Sequence, residues 1–313
     1  MINLTHPAVC DLAYSCFSPD LISDYPRIDD NIAPSQCRIA LTAHRQAWLH
    51  HLDRHPEPLL AALKQLNSHR LGLYFEALWQ FFIREDDQLE LIANNVPVRS
   101  GKQTLGEFDV IYRDLDTAQF VHLELTYKFY LQEPGQAHPA IDGHYHHWLG
   151  PNTGDRLDLR LARLLQHQIR LTDTEHGRLL WQELTGESQC EHREIAFKGR
   201  VFYTDPSKNH TQFNPHHLAG SRQNLSAISS TLAATPESRW VVLNKTQWIR
   251  PIKKTHCTVP ALELKQYLHS HFCNSNSPLL VARLRADNDG LGETERCFIT
   301  SDYWPLPTIS SRA

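Results

Sequence analysis

The sequence has no stretch of about 20 apolar residues, no cysteine pair in CxxC spacing and no strong excess of one charge. Because a membrane-spanning helix needs roughly 20 apolar residues in a row, we expect no membrane partner. The seven cysteines are scattered, which predicts reduced thiols and neither a zinc knuckle nor a disulfide framework. The first residues lack the basic start and apolar core of a secretory signal, and this predicts a cytoplasmic protein.

Composition predicts a globular protein and leaves its partner open. With 41% hydrophobic residues, a chain of 313 residues can bury a substantial core. The net charge of −4 argues against a protein that coats nucleic acid with its whole surface, although a local basic patch is compatible with it. Twenty histidines include a cluster at 142–147 whose spacing differs from a helical metal site, so we interpret it as a solvated loop in preference to a zinc site.

A β-hairpin is predicted where two alternating polar and apolar runs are joined by a polar turn at 113–118. The polar face of its second strand consists of His122, Glu124, Thr126 and Lys128. Asp109 interrupts the first strand, where aspartate is normally depleted. The hairpin therefore predicts that Asp109 lies on the strand next to Glu124.

Glu76 is the only charged residue in the apolar segment 71–83, which predicts a helix buried against the sheet. A carboxylate is almost never buried without a partner. Glu76 is then either a structural acid satisfied by polar neighbours of its own helix or a third acid beside Asp109 and Glu124. Three converging carboxylates repel one another unless a cation binds, and oxygen ligands favour Mg²⁺ or Mn²⁺ over zinc.

Hydrophobic periodicity predicts the remaining elements to within a few residues. Helices are predicted near 38–50, 57–67, 71–84, 155–171, 217–233 and 260–272. Strands are predicted near 89–99, 106–113, 120–131, 194–203, 239–243, 279–284 and 295–300. The middle of the chain therefore has the order helix, three strands, helix, strand.

This order, with an acid in the first helix, an aspartate on the second strand and a carboxylate and a lysine on the third, resembles the PD-(D/E)XK nuclease superfamily. The segments GEFDVIYRD, HLELTYKFYL, GPNTGDRLDLRLARLLQHQ and SRWVVLNKTQWIRPI resemble, more narrowly, an uncharacterised bacterial family, the domain of unknown function DUF1853, assigned to that superfamily. The resemblance covers about residues 70–255. It implies an α/β fold with an N-terminal helical segment (1–69), a nuclease-like core (70–205) and a C-terminal α/β extension (206–313).

The resemblance also implies roles for individual residues. Glu76, Asp109 and Glu124 would bind Mg²⁺ or Mn²⁺, and Asp109, Glu124 and Lys128 would form the catalytic set. The superfamily pattern separates the strand carboxylate from the lysine by one residue, but here Thr126 occupies that place. The Cα atoms of Glu124 and Lys128 would lie ~13 Å apart along a strand, so the lysine must lean back to reach the site.

Four arginines recur along the predicted helix 155–171 with the spacing of one helical face. They are Arg156, Arg160, Arg163 and Arg170. Because forked guanidinium groups suit phosphate recognition, we predict that they bind nucleic acid. The alternative is a solvated helical face, whose charge Asp155 and Asp158 partly offset.

The sequence thus predicts a metal-dependent nuclease that hydrolyses phosphodiester bonds of nucleic acid. The alternative is a protein that kept the nuclease fold, lost the chemistry and binds nucleic acid or protein, because a fold does not imply a function.

Overall fold

The computed structural model describes residues 2–27, 34–66, 68, 70–133, 145–205, 212–253, 258–287 and 290–305. The protein is a mixed α/β protein. Its helices are α1 Pro7–Phe17, α2 Ala43–Arg54, α3 Glu57–Leu63, α4 Leu71–Glu85, α5 Leu157–Arg163, α6 Glu175–Thr185, α7 Leu225–Ala234 and α8 Ala261–Asn274. Its strands are β1 Ser35–Gln36, β2 Leu89–Ser100, β3 Gln103–Asp114, β4 Phe120–Gln132, β5 Trp148–Leu149, β6 His192–Tyr203, β7 Ala219–Asn224, β8 Arg239–Val242, β9 Val259–Pro260, β10 Leu279–Asp287 and β11 Gly290–Thr300.

The chain forms two compact units, and both are discontinuous in sequence. The first unit contains residues 1–128, 160–199 and 213–217. The second unit contains residues 129–159, 200–212 and 218–313. The division into 1–69, 70–205 and 206–313 separates the chain by sequence segments instead, and it stays a prediction.

In the first unit, β2 and β3 are antiparallel, β3 and β4 are antiparallel, and β6 lies beside β4. Both faces of β4 are buried at this point, because the polar residues His122 and Glu124 are as inaccessible as Val121 and Leu123, which alternate with them. Helix α4 is buried through a face that includes Phe75, Trp79 and Phe82. The predicted burial of this apolar helix is therefore confirmed.

In the second unit, β7 runs parallel to the end of β6 and to β11, while β10 is antiparallel to both β11 and β8. Its core includes Trp240 from β8, Ile228 from α7 and Leu264 from α8. Trp240 is therefore a core residue.

Two helices, α1 and α6, were not predicted, and the predicted helices 217–233 and 155–171 differ from the structure. Helix α1 was not predicted, although its buried residues Val9, Leu12 and Cys16 have helical spacing. The predicted helix 217–233 begins only at Leu225, because residues 219–224 form a strand held by two neighbouring strands. The predicted helix 155–171 is also not continuous: α5 ends at Arg163 and a π-helical turn, Leu164–Gln168, follows it.

The expectations about cysteines and about membrane-spanning helices can be compared with the structure for the described residues. The six cysteines among them are all free thiols. Among these residues, no helix combines the length and the apolar character that a membrane crossing requires.

Candidate functional site

The β3–β4 hairpin brings two acids together. Val110 pairs with Leu123, so one further step of the antiparallel register sets Asp109 opposite Glu124. The backbone N–H of Leu125 donates a hydrogen bond of 2.9 Å to Oδ2 of Asp109. The prediction that the hairpin places these acids on neighbouring strands is confirmed.

Glu124 is fully buried, and both of its carboxyl oxygens have neutral partners. His122 Nε2 lies 2.9 Å from Oε1, and Gln168 Nε2 donates a hydrogen bond of 2.8 Å to Oε2. A carboxylate has about four lone-pair positions, so these two contacts and the hydrogen bond with Asp109 do not fill them all. Glu124 is therefore held in one orientation without being saturated.

Burial raises the pKa of both acids. The pKa of Glu124 rises to about 8 through loss of solvent, which hydrogen bonds with Asp109 and Gln168 oppose. The pKa of Asp109 also rises to about 8, first through burial and then through the charge of Glu124. Two carboxyls within hydrogen-bonding reach of each other, away from water, retain a proton near neutral pH.

His122 is a neutral partner of this pair. Burial lowers its pKa to about 4, although the charge of Asp109 opposes this effect. When Glu124 is ionised, the ring must carry its proton on Nε2 in order to donate to the carboxylate. The other nitrogen, Nδ1, is buried and has no hydrogen-bond partner among the described residues.

Glu76 lies on α4 and is half-buried. Its pKa rises to about 7 because of burial first and then because of the charges of Asp109 and Glu107. Glu107 is an exposed residue that sequence reasoning missed, and its charge also raises the pKa of Glu124. The signal for it was its position two residues before Asp109, which places both side chains on one face of β3.

The acids do not form a complete metal site by themselves. In the part of the chain that the structure describes, no three His, Cys, Asp or Glu side chains form a group that could hold a metal ion. Asp109 and Glu124 form a close pair, and Glu76 interacts with Asp109 through its charge. The assignment of these three acids as metal ligands stays a prediction.

Lys128 lies four residues beyond Glu124 on the same face of β4 and is half-buried. Its backbone carbonyl is packed against Gly199 of β6, where a Cβ atom would collide with that oxygen. Gly199 also has φ +141°, a conformation that other residues rarely adopt. The backbone of Lys128 is thus fixed closely, and the catalytic role of its side chain stays a prediction.

Gln168 is the neutral site residue that sequence reasoning missed. It lies at the end of the π-helical turn and contacts Glu124 directly. Leu161 and Leu164 are buried and precede Gln168 by seven and four residues. The sequence did offer a signal for Gln168, because it is a polar residue that continues an apolar stripe. A neutral amide in such a position is less conspicuous in a sequence than a charged residue.

The four candidate arginines have different surroundings. Arg156, in the second unit, forms an exposed ion pair with Asp158 at 2.6 Å. In the first unit, Arg170 lies 3.5 Å from Asp173, Arg160 is half-buried and Arg163 is exposed. The predicted continuous α-helix is interrupted after Arg163, so Arg160 and Arg163 lie in α5 whereas Arg170 follows the π-helical turn. Nucleic-acid binding by these residues stays a prediction.

The histidine cluster lies partly outside the described residues, which exclude Asp142 and His144. His147 Nδ1 lies 3.3 Å from Oε2 of Glu133.

Comparison with known proteins identifies the family. No curated protein and no solved structure matches the chain. The chain does match the family described as a domain of unknown function, DUF1853, over residues 10–300. Since this match covers most of the 313 residues, the chain belongs to the DUF1853 family.

Proposed function

We propose that this protein hydrolyses phosphodiester bonds of nucleic acid with the help of a divalent cation, on a core of the PD-(D/E)XK type. The observation that carries the proposal is the pair of fully buried Glu124 and half-buried Asp109, whose hydrogen-bond partners outside the pair are neutral among the described residues. The order α4, β2, β3, β4, β5, α5, α6, β6 contains the helix, three strands, helix, strand pattern that suggested the superfamily, with the short strand β5 and a second helix, α6, added to it.

The residues of the pair fit a hard cation. Asp109 and Glu124 would hold it, with Glu76 in support, because carboxylate oxygens are the ligands that Mg²⁺ and Mn²⁺ prefer. The proton that the pair retains marks a place where a positive charge is favourable. When bound, Mg²⁺ or Mn²⁺ supplies a Lewis acid that polarises a phosphate and lowers the pKa of a water molecule.

The chain's own residues would supply orientation and charge. His122 and Gln168 hold Glu124 in place, and the Leu125 N–H holds Asp109. Lys128 would orient the nucleophile or stabilise charge that develops on the phosphate. Arg156, Arg160, Arg163 and Arg170 would contact the phosphate backbone of the nucleic acid.

Metal binding tests the proposal without any knowledge of the substrate. At 100 times its Kd, Mg²⁺ or Mn²⁺ should stabilise the wild-type protein by about 2.7 kcal/mol, seen as a rise in Tm. Asp109→Asn removes a ligand charge and should abolish the rise. Asp116→Asn, an exposed change in the hairpin turn, is the matched control and should keep it. The proposal fails if neither metal raises the Tm of the wild type.

A second experiment tests Lys128. Lys128→Ala should leave metal affinity unchanged or slightly higher, because a nearby positive charge opposes cation binding. It should lower kcat by roughly 10²- to 10³-fold, as expected for a group that acts in the transition state. The assay uses Mg²⁺ or Mn²⁺ with single- and double-stranded DNA and RNA. Lys102→Ala, at the exposed turn between β2 and β3, is the control, and equal kcat in both variants would remove Lys128 from the chemistry.

One observation favours a second function. Both oxygens of Glu124 already have protein partners, and in the described residues no third His, Cys, Asp or Glu completes a metal-binding group. A protein that lost the chemistry but kept the fold would retain such a self-satisfied pair and bind nucleic acid or protein. Nucleic-acid binding that is unaffected by metal and by Asp109→Asn, without cleavage, would establish this alternative.

A further inference from the structure

Gln168 uses only part of its hydrogen-bonding capacity beside the carboxyl pair. Its Nε2 donates to Glu124, but its Oε1 is buried and has no hydrogen-bond partner among the described residues. An unsatisfied buried acceptor costs roughly 1–3 kcal/mol. Buried oxygens of this kind call for a specific explanation, and a bound ion is one of them.

The orientation of the amide is set by Glu124. An ionised carboxylate only accepts hydrogen bonds, so it requires the NH₂ end of Gln168, and the oxygen must then point elsewhere. A cation bound to Glu124 requires the same ionised form. In the structure the NH₂ end of Gln168 faces Glu124, and Oε1 is thereby left for another partner.

The π-helical turn gives Gln168 this position. Ile169 N–H donates to the carbonyl of Leu164 at 3.0 Å, the five-residue spacing that defines such a turn. Leu164 is fully buried, and Gln168 follows it by four residues. The widened turn therefore carries a polar side chain on a buried face. Single π turns inside helices are often found at functional sites.

We propose that Gln168 is a metal-binding residue that supplies, through Oε1, the third oxygen ligand beside Asp109 and Glu124. This inference rests on the proposed metal-dependent function. Carbonyl and carboxylate oxygens together suit Mg²⁺ and Mn²⁺. An amide ligand also accounts for a site that lacks a third His, Cys, Asp or Glu in the described residues. The same side chain orients Glu124 through its N–H groups.

Two substitutions separate the oxygen of Gln168 from its N–H groups. Gln168→Met keeps the length and removes both, whereas Gln168→Glu keeps an oxygen and removes the donor to Glu124. The full-length, metal-free proteins are titrated with Mn²⁺ by calorimetry and by the electron paramagnetic resonance signal of the free ion. Mg²⁺ is measured by competition. Gln166→Met, an exposed change in the same π turn, is the control.

Binding by the oxygen predicts that Gln168→Met weakens Mn²⁺ at least 10-fold, the scale of effect known even for residues that only support a metal ligand. Gln168→Glu and Gln166→Met should bind at least as tightly as the wild type. If Gln168→Glu is as weak as Gln168→Met, the N–H groups matter and the inference is wrong. It is equally wrong if Gln168→Met binds like the wild type.

The outcome for the wild type distinguishes the two proposals. No Mn²⁺ or Mg²⁺ binding by the wild type would overturn the proposed function together with this inference, whereas the patterns above overturn the role of Gln168 alone. If Gln168→Met does not fold, Gln168→Asn replaces it, because one methylene fewer retracts the oxygen while keeping the amide. Tight binding by Gln168→Asn would then contradict the inference, and weakened binding would support it.

Discussion

The first unit contains two kinds of buried acid. Asp86 receives two hydrogen bonds from Arg45, at 2.6 and 3.3 Å, and Asp20 lies 3.1 Å from Nζ of Lys198. These acids have cations supplied by the chain. The Asp109–Glu124 pair instead shows an imidazole, an amide and a backbone N–H as its partners.

The two kinds of acid differ in the source of the positive charge that can compensate them. Burial raises the pKa of Asp20, but Lys198 and Gln36 lower it in turn. For Asp109 the largest nearby charge is that of Glu124, which raises its pKa further. A buried acid paired with a cation of the chain has its charge compensated, whereas two adjacent acids with neutral partners must share a proton or accept a cation from solution.

The largest expected effect is loss of the cation from a complete pair. Arg45→Met keeps much of the side-chain volume but leaves Asp86 buried without its guanidinium, which should lower the free energy of unfolding by roughly 3–5 kcal/mol. Urea denaturation measures the change, and added Mg²⁺ should not restore it. His44→Ala breaks a neighbouring but exposed pair with Asp87 and should cost less than about 1 kcal/mol. Equal losses of unfolding free energy in Arg45→Met and His44→Ala would contradict the importance assigned to the buried cation.

Substitution in the Asp109–Glu124 pair is expected to raise the free energy of unfolding instead of lowering it. Since folding raises the pKa of Asp109 and Glu124 to about 8, the folded protein holds protons that the unfolded chain releases above about pH 4. The stability contributed by these groups is present below pH 4 and is lost as the pH rises toward 8. Asp109→Asn cannot ionise, so without metal it should be more stable than the wild type at pH 8, because it avoids the loss of ~1.4 kcal/mol for each unit by which folding shifts the pKa.

Unfolding free energies measured from pH 5 to 9 in the presence of a chelator test this prediction. The slope with pH should become shallower in Asp109→Asn and remain that of the wild type in the exposed control Asp116→Asn. A variant that is less stable than the wild type at pH 8 would indicate that the carboxylate of Asp109 is already compensated within the protein.

The sequence predicts the elements around the site well because they are long and periodic. The predicted strands at 89–99, 106–113 and 120–131 correspond to β2, β3 and β4, and the predicted helix at 71–84 corresponds to α4. The acids were recognisable for a simple reason: a charge within an apolar pattern is energetically exceptional, and it remains visible whatever the tertiary structure is.

Features that depend on tertiary context were not predictable from the pattern. Strand β7, with the sequence AGSRQN, has little intrinsic strand propensity and exists because β6 and β11 flank it. The π turn at Leu164–Gln168 looks like ordinary helix in the sequence, so the shift that carries Gln168 to Glu124 could not be foreseen. A neutral partner such as Gln168 carries no charge that stands out in the sequence. It was therefore missed, although the acids that it contacts were found.

The smallest expected effect concerns the arginines, which lie at the surface, where charge is screened. If Arg160 and Arg163 contact a phosphate backbone, Arg160→Ala/Arg163→Ala should weaken duplex DNA binding and reduce the slope of log K against log salt by ~0.9 for each lost contact. Arg178→Ala, an exposed arginine of α6 outside the predicted set, is the matched control and should leave the slope unchanged. Binding measured between 50 and 200 mM salt, the range over which such contacts have large effects, resolves the difference. An unchanged affinity and slope in the double variant would assign both arginines to a solvated surface, and the acid pair would then be the remaining indication of a nucleic-acid substrate.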